Sequence, residues 1–216
     1  MSTVNFLATL KHFSTETEEN IIDHLWDDVQ ALRSCSLTCR AWLPRSRFHL
    51  LYAIRIYDRK QLDALYDTFE RYPQRRLLVH SVTTAPKRLK GDPGPVIEVF
   101  PLALLSQSPN LRCWKIDQTT TKVVKQREML SFHPTTFTRL RCSSIDELHL
   151  TSLRFKSDTE LLRLVLALPL LRKLLCDDLH FAAIGPNLDQ YQNIVHRRMT
   201  NVSCLEVSHD SATIPE

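Results

Sequence analysis

Glycine is nearly missing from this chain: only Gly91, Gly94 and Gly185 occur in 216 residues. Phosphate-cradling loops and nucleophile elbows need glycine, because the backbone there approaches a ligand closely or takes a strained turn. No GxGxxG, GxxxxGK[ST] or GxSxG pattern is present, so the common nucleotide-binding and hydrolase arrangements have no support. Long apolar runs are also absent. Nothing approaches the roughly 20 residues that cross a bilayer, and the N-terminus carries no basic-then-apolar leader. The expected location is therefore intracellular, cytoplasmic or nuclear, with no membrane contact. Charge of one sign is scarce too. Twenty-eight Lys and Arg against 24 Asp and Glu leave a net +4, too slight a balance to point to nucleic acid. Lys87-Arg88 and Arg197-Arg198 are too short for nuclear-import signals. Closely paired cysteines are the last absence. The six cysteines are scattered, and Cys35 and Cys39, four apart, have no two further ligands beside them. Free thiols are expected, with no metal and no cofactor.

What remains is an ordinary core-forming composition, 43% apolar and 24% charged. The stretch from Phe13 to Phe48 reads as three short helices. Thr15 and Glu18 have capping-box spacing. Ile21, Ile22, Leu25 and Trp26 form one helical stripe. Asp27 or Asp28 can cap a second helix carrying Val29, Leu32 and Cys35. A third would carry Leu37, Cys39, Ala41 and Trp42 and stop before Pro44.

This pattern resembles the F-box, the helical module by which substrate receptors dock on the adaptor of cullin–RING ubiquitin ligases. The carrying residues are Ile21-Ile22-Asp23-His24-Leu25, Leu32 and Cys39-Arg40-Ala41-Trp42. The wording SLTCRAWLPRSRFHL is most similar to F-box proteins of basidiomycete fungi. The family opens with Leu-Pro, where this chain has Phe13-Ser14, and Glu16 keeps the family's register. The resemblance implies an adaptor face made by Phe13, Ser14, Glu16, Ile22, Leu25, Leu32, Leu37, Cys39 and Trp42. It further implies a Skp-family adaptor as partner and, through it, a cullin–RING ligase.

From Leu50 onward a six-residue phrase recurs, apolar at positions one, four and six. It starts at Leu51, Leu111, Ile145, Leu171 and Val202, with a weaker copy at Leu77 whose fourth position is His80. This is the L-x-x-L-x-L phrase of leucine-rich repeats, in irregular units. Positions four and six share one face of a short strand, and a helix returns behind it. Helical spacing marks Gln61–Phe69, Val96–Leu105 (kinked or divided by Pro101), Thr159–Leu168 with Asp158 as cap, and Asn187–Met199. Pro73, Pro109 and Pro169 are expected to stop helices before the next strand. Thr83–Pro95 and the polar stretch Gln118–Pro134 read as surface loops. Only nine residues follow Val207, so no capping unit is expected on the last strand, and an exposed edge, an edge covered by a partner or a truncated array is anticipated.

The fold class expected is α/β (α+β overall): an F-box-like helical module over 1–49, then a short, irregular solenoid of about six leucine-rich-repeat-like units over 50–216. Outward positions two, three and five of the phrases would meet a protein substrate. In mid-array these are Arg112, Lys115, Asp146, Glu147, His149, Arg172 and Lys173, a mixed-charge strip suited to protein rather than nucleic acid. The function expected is substrate recognition for a ubiquitin ligase, the alternative being an interaction scaffold with a degenerate F-box. A helix-turn-helix reading would place Arg40, Arg45 and Arg47 on phosphates, but no following helix offers a reading face. An enzyme is not expected: His149, His180 and His209 are placed no better than chance, and Cys39 looks buried rather than reactive.

Overall fold

The computed structural model describes residues 14–86, 96–119, 129–183 and 204–208. The chain divides into two compact units, 1–52 and 53–216, a boundary slightly beyond the expected one because the third helix runs on to Tyr52.

The first unit holds helices α1 (Thr15–Asp23), α2 (Val29–Thr38) and α3 (Trp42–Tyr52). Ser14, not Thr15, is the cap of α1: its backbone is extended and its Oγ accepts from the Thr17 amide at 3.3 Å. Asp28 caps α2 as its position suggests, with Oδ1 accepting from the amides of Gln30 (3.0 Å) and Ala31 (2.9 Å). The third helix departs from expectation. Leu37 belongs to α2, Cys39 is the extended residue that ends it, and Pro44 lies inside the first turn of α3. Proline is at home there, since the first-turn amides have no intrahelical acceptor in any case. Of the expected apolar stripes only Ile22, Leu32 and Cys35 are buried, along with Ser46 of α3. A polar clasp joins the end of α1 to α3. Arg45 donates from Nε and Nη2 to the two oxygens of Asp23, and His49 Nε2 lies 2.7 Å from Asp23 Oδ1. These partners, Arg45 first and then His49, hold the Asp23 carboxyl well below the usual carboxylate range.

The second unit mixes helix with parallel sheet. Its main sheet has six strands in the order β1 (Ala53–Ile56), β2 (Ser81–Thr84), β3 (Cys113–Asp117), β5 (Glu147–Thr151), β7 (Lys173–Asp177) and β9 (Cys204–Ser208), every pair parallel. The register aligns the phrases. Ile54, Val82, Trp114, Leu148, Leu174 and Leu205 form one ladder, and Ile56, Thr84, Ile116, Leu150, Cys176 and Val207 the next alternate one. The second phrase therefore starts at Val79 rather than Leu77: Val79 is 1% exposed and Leu77 52%. His80 thereby falls at an outward position two, which relieves the misfit that its imidazole would create inside. Burial also pushes the Cys176 thiol up to about 11.

Adjacent units share a repeated backbone tie. The position-two carbonyls of His80, Arg112 and Asp146 each accept two amides from the next unit, Arg112 with Cys113, Asp146 with Glu147, and Arg172 with Lys173, all at 2.8–3.0 Å. Just before the strands, Asn110 Nδ2 donates to Leu77 O (2.8 Å) and Ser144 Oγ to Pro109 O (2.6 Å). Each unit is thus hydrogen-bonded to its neighbour and not only stacked on it.

Behind the main sheet stand α4 (Arg59–Arg71), α5 (Val96–Leu104), α6 (Pro134–Arg141) and α7 (Asp158–Leu166). Asp58 caps α4. Helix α5 crosses Pro101 without a break and is followed by a short 3-10 turn over Leu105–Gln107. At α7 the cap position is Ser157; Asp158 is the first helical residue and accepts from the Thr159 amide at 2.7 Å. Helix α4 ends just before Pro73 as expected, but Pro73 then opens a 3-10 segment over Pro73–Leu78 instead of leading straight into a strand. Helix α6 occupies a stretch for which no helix was expected, and Thr83 and Thr84 belong to β2 rather than to a loop. The expected helix over Asn187–Met199, and most of the loop ending at Pro95, lie outside the described residues.

A second sheet of three parallel strands, β4 (Met129–Leu130), β6 (Arg154–Ser157) and β8 (His180–Ala183), was not anticipated. It arises because the phrase is longer than six residues: Leu153 and Phe155 extend the Ile145 copy, and Leu179 and Phe181 the Leu171 copy. The turns between the two sheets place Ser152 (φ 57°) and Asp178 (φ 52°) in the left-handed region, which short polar side chains tolerate best after glycine. Ser152 Oγ donates to Asp178 Oδ2 at 3.0 Å, and His180 Nε2 lies 2.8 Å from Asp178 Oδ1. Aromatic rings fill the core, Trp114 meeting Phe100 at 5.4 Å and Phe132 at 6.4 Å between centroids.

Candidate functional site

The structure separates the residues expected to meet an adaptor into two groups. Ile22 and Leu32 are buried within the helical unit, so they build its core and offer no surface to a partner. Ser14, Glu16, Leu37 and Cys39 are exposed, Leu25 and Trp42 half-buried, and Phe13 lies outside the described residues. Ser14 has a structural duty as the α1 cap. Cys39 is exposed, not buried as the sequence suggested. Leu37, expected on the adaptor face, is 86% exposed, and apolar groups of the expected helix stripes are open as well: Trp26 is 66% exposed, and Ile21 and Val29 are also exposed. Val29 and Leu37 stand near the two ends of α2 (Val29–Thr38), Val29 one turn from the buried Leu32 and Leu37 on another side of the helix, and both are exposed. Stripe arithmetic does not separate Val29 from Leu32 and Cys35, because the three share one i, i+3, i+6 stripe, and only the packing leaves Val29 open. The arginines of a phosphate-binding reading are not equally free: Arg45 is clasped by Asp23, although α3 does continue beyond Pro44 as a helix.

The outward strip of the repeat unit comes together as expected. Position three carries Cys113, Glu147 and Lys173 on successive strands, and position five carries Lys115, His149 and Leu175. Arg112 and Arg172 are exposed at position two, with Asp146 between them half-buried. Arg112 Nη1 donates to Ser144 O at 3.4 Å. Glu147 sits at the centre: Oε1 is 3.9 Å from Lys173 Nζ, and Oε2 is 3.4 Å from His149 Nε2. That second contact is out of line for a hydrogen bond, and His149 Nε2 is shut off from solvent with no hydrogen-bond partner among the described residues. Burial, reinforced by Lys115, lowers the His149 pKa below its ordinary value, so the ring is uncharged at neutral pH and the Glu147 contact is not an ion pair there. Burial also pushes the Cys113 thiol up, against the pull of the Ser81 hydroxyl beside it. A thiol held protonated is a poor nucleophile, so the strip offers no activated cysteine. Sulfur, carboxylate oxygen and imidazole nitrogen of Cys113, Glu147 and His149 lie within 4.8 Å of one another.

No helix of the described residues is long and apolar enough to cross a membrane. No protein-family model matches the chain, and no curated protein matches it.

Proposed function

We propose that the chain is the substrate-recognition subunit of a cullin–RING (SCF-type) ubiquitin ligase, its helical unit docking on a Skp-family adaptor and its repeat unit holding a protein substrate. The observation that carries this reading is the apolar surface of the helical unit. Trp26, Val29 and Leu37 stand in solvent on a unit whose described part is three short helices. Three large apolar groups left in solvent on so small a module favour a protein contact. The resemblance of this same stretch to the F-box supplies the partner class. On the repeat unit, the mixed-charge strip around Glu147 would orient a substrate, and catalysis would lie elsewhere in the assembly, by raising the effective concentration of substrate lysines.

A second reading, an interaction scaffold with a degenerate F-box, draws on one observation: the position where the family has its opening Pro is here Ser14, committed to capping α1. Calorimetry of the full chain against a Skp-family adaptor separates the two. Adaptor binding by the unaltered chain, weakened at least about tenfold by Leu37→Asp, supports the receptor reading. Leu37 is 86% exposed, so the substitution leaves the helical circular dichroism unchanged. No binding by the unaltered, folded chain overturns the receptor reading and leaves the scaffold.

A further inference from the structure

We infer that Cys113, Glu147 and His149 form a binding site for a transition-metal dication, zinc by the chemistry of its ligands, with one coordination position left open toward the outer face of the main sheet. The inference concerns the strip itself and stands whether or not the helical unit binds an adaptor.

The three residues converge through the sheet. Cys113 of β3 and Glu147 of β5 are register partners at position three, and His149 lies two residues on, hence on the same face. A thiolate, an imidazole and a carboxylate are the ligand types that zinc accepts together, and three protein ligands leave a fourth tetrahedral position for water or an incoming group. Metal–ligand lengths of about 2.0–2.3 Å place tetrahedral donors about 3.3–3.6 Å apart. The His149 Nε2 to Glu147 Oε2 separation is 3.4 Å, already within that range. As a hydrogen bond that contact fails on direction; as an edge of a coordination tetrahedron it needs none. It also accounts for a buried nitrogen without a partner, which is costly unless something fills its lone pair. Glu147 divides its oxygens, Oε1 toward Lys173 and Oε2 toward His149, so Oε2 is the oxygen placed to share a metal with the imidazole.

The surroundings both help and limit. His149 Nε2 is shut off from solvent and has no hydrogen-bond partner among the described residues, so its lone pair is unspent. Cys113 must release its thiol proton to water as the metal–sulfur bond forms, so metal uptake releases a proton. Lys115 and Lys173 face the same ground and oppose a dication, so the affinity is held below that of a closed structural site. An open position on the strip also suits a Cys, His or acidic side chain of a bound protein.

The test uses the full chain stripped of metal and titrated with cobalt(II), then with zinc. The expected result is one equivalent of cobalt with the intense visible bands of tetrahedral coordination and an ultraviolet thiolate-to-metal band, all displaced by zinc. Cys113→Ser loses the thiolate band, His149→Gln weakens binding at least about tenfold, and a Cys39→Ser/Cys142→Ser chain keeps both. As a measurement independent of any variant, zinc protects Cys113 from maleimide alkylation, read by peptide mass spectrometry. A chain that gives no thiolate band, a band that survives Cys113→Ser, or Cys113 labelling unchanged by zinc overturns the inference.

Discussion

Thr84→Val separates local apolar logic from the packed structure. Thr84 occupies position six of the second phrase, where the other described units place Ile56, Ile116, Leu150 and Cys176. Judged by the phrase alone, valine improves this position, since a buried methyl contributes about 0.8 kcal/mol. The structure predicts the reverse. The Thr84 hydroxyl is buried, accepts from Trp114 Nε1 at 3.3 Å and donates to Lys115 O at 3.3 Å. Valine leaves the indole N–H, in a residue that is 0% exposed, without a partner. An orphaned buried donor costs about 1–3 kcal/mol. With the methyl gain set against it, Thr84→Val is expected to destabilise by about 0.2–2.2 kcal/mol, read as a lowered urea midpoint by far-ultraviolet circular dichroism. In a Trp114→Phe background the indole is gone and the same change is expected to be neutral or stabilising. The double-mutant cycle should then give a coupling of about 1–2 kcal/mol. A stabilised Thr84→Val chain, or additive single and double substitutions, refutes the reasoning.

Three further outcomes are expected. Asp23→Asn removes the acceptor of both Arg45 and His49. Because the folded-state pKa of Asp23 is depressed, its contribution is fully present above the unfolded value of about 4 and fades as pH falls below it. The substituted chain is thus expected to lose about 1 kcal/mol at neutral pH and to show a flatter acid limb in pH-dependent unfolding; an unchanged acid limb contradicts the clasp. Leu148→Ala, at the centre of the position-four ladder and 0% exposed, is expected to cost about 2–5 kcal/mol, whereas Lys115→Ala on the outer face of the same sheet stays within about 0.5 kcal/mol. Asp178→Ala is expected to cost more than Asp178→Asn, by about 1 kcal/mol or more, since alanine tolerates the left-handed backbone less well and also removes the group that holds Ser152 and His180. Equal midpoints would show that the turn does not depend on those contacts.

Where the sequence misled, the cause is physical. Pro44 reads as a helix stop when judged by what precedes it, yet it is equally suited to a first turn, and the choice depends on where α3 begins. Ile21, Trp26 and Val29 share stripes with buried residues, but spacing defines a face and not what covers it. The metal-ligand cluster was invisible because Cys113 and Glu147 are distant in sequence and adjacent only through strand register. Each strip residue could be named from its position in a phrase; their grouping around Glu147 could not.

The sequence by itself determined the strand phrases, their inward positions four and six, the Asp28 cap and the α4 and α7 helices. All depend on periods of two or 3.6 residues and on caps, which act over a few neighbouring positions. Only the tertiary structure decided that the second phrase begins at Val79, that a second sheet follows the first, and which apolar helix faces stay open. A shift of two residues keeps every side chain on its face, so alternation cannot choose between Leu77 and Val79. The hydrogen-bond register shared with β1 and β3 makes that choice.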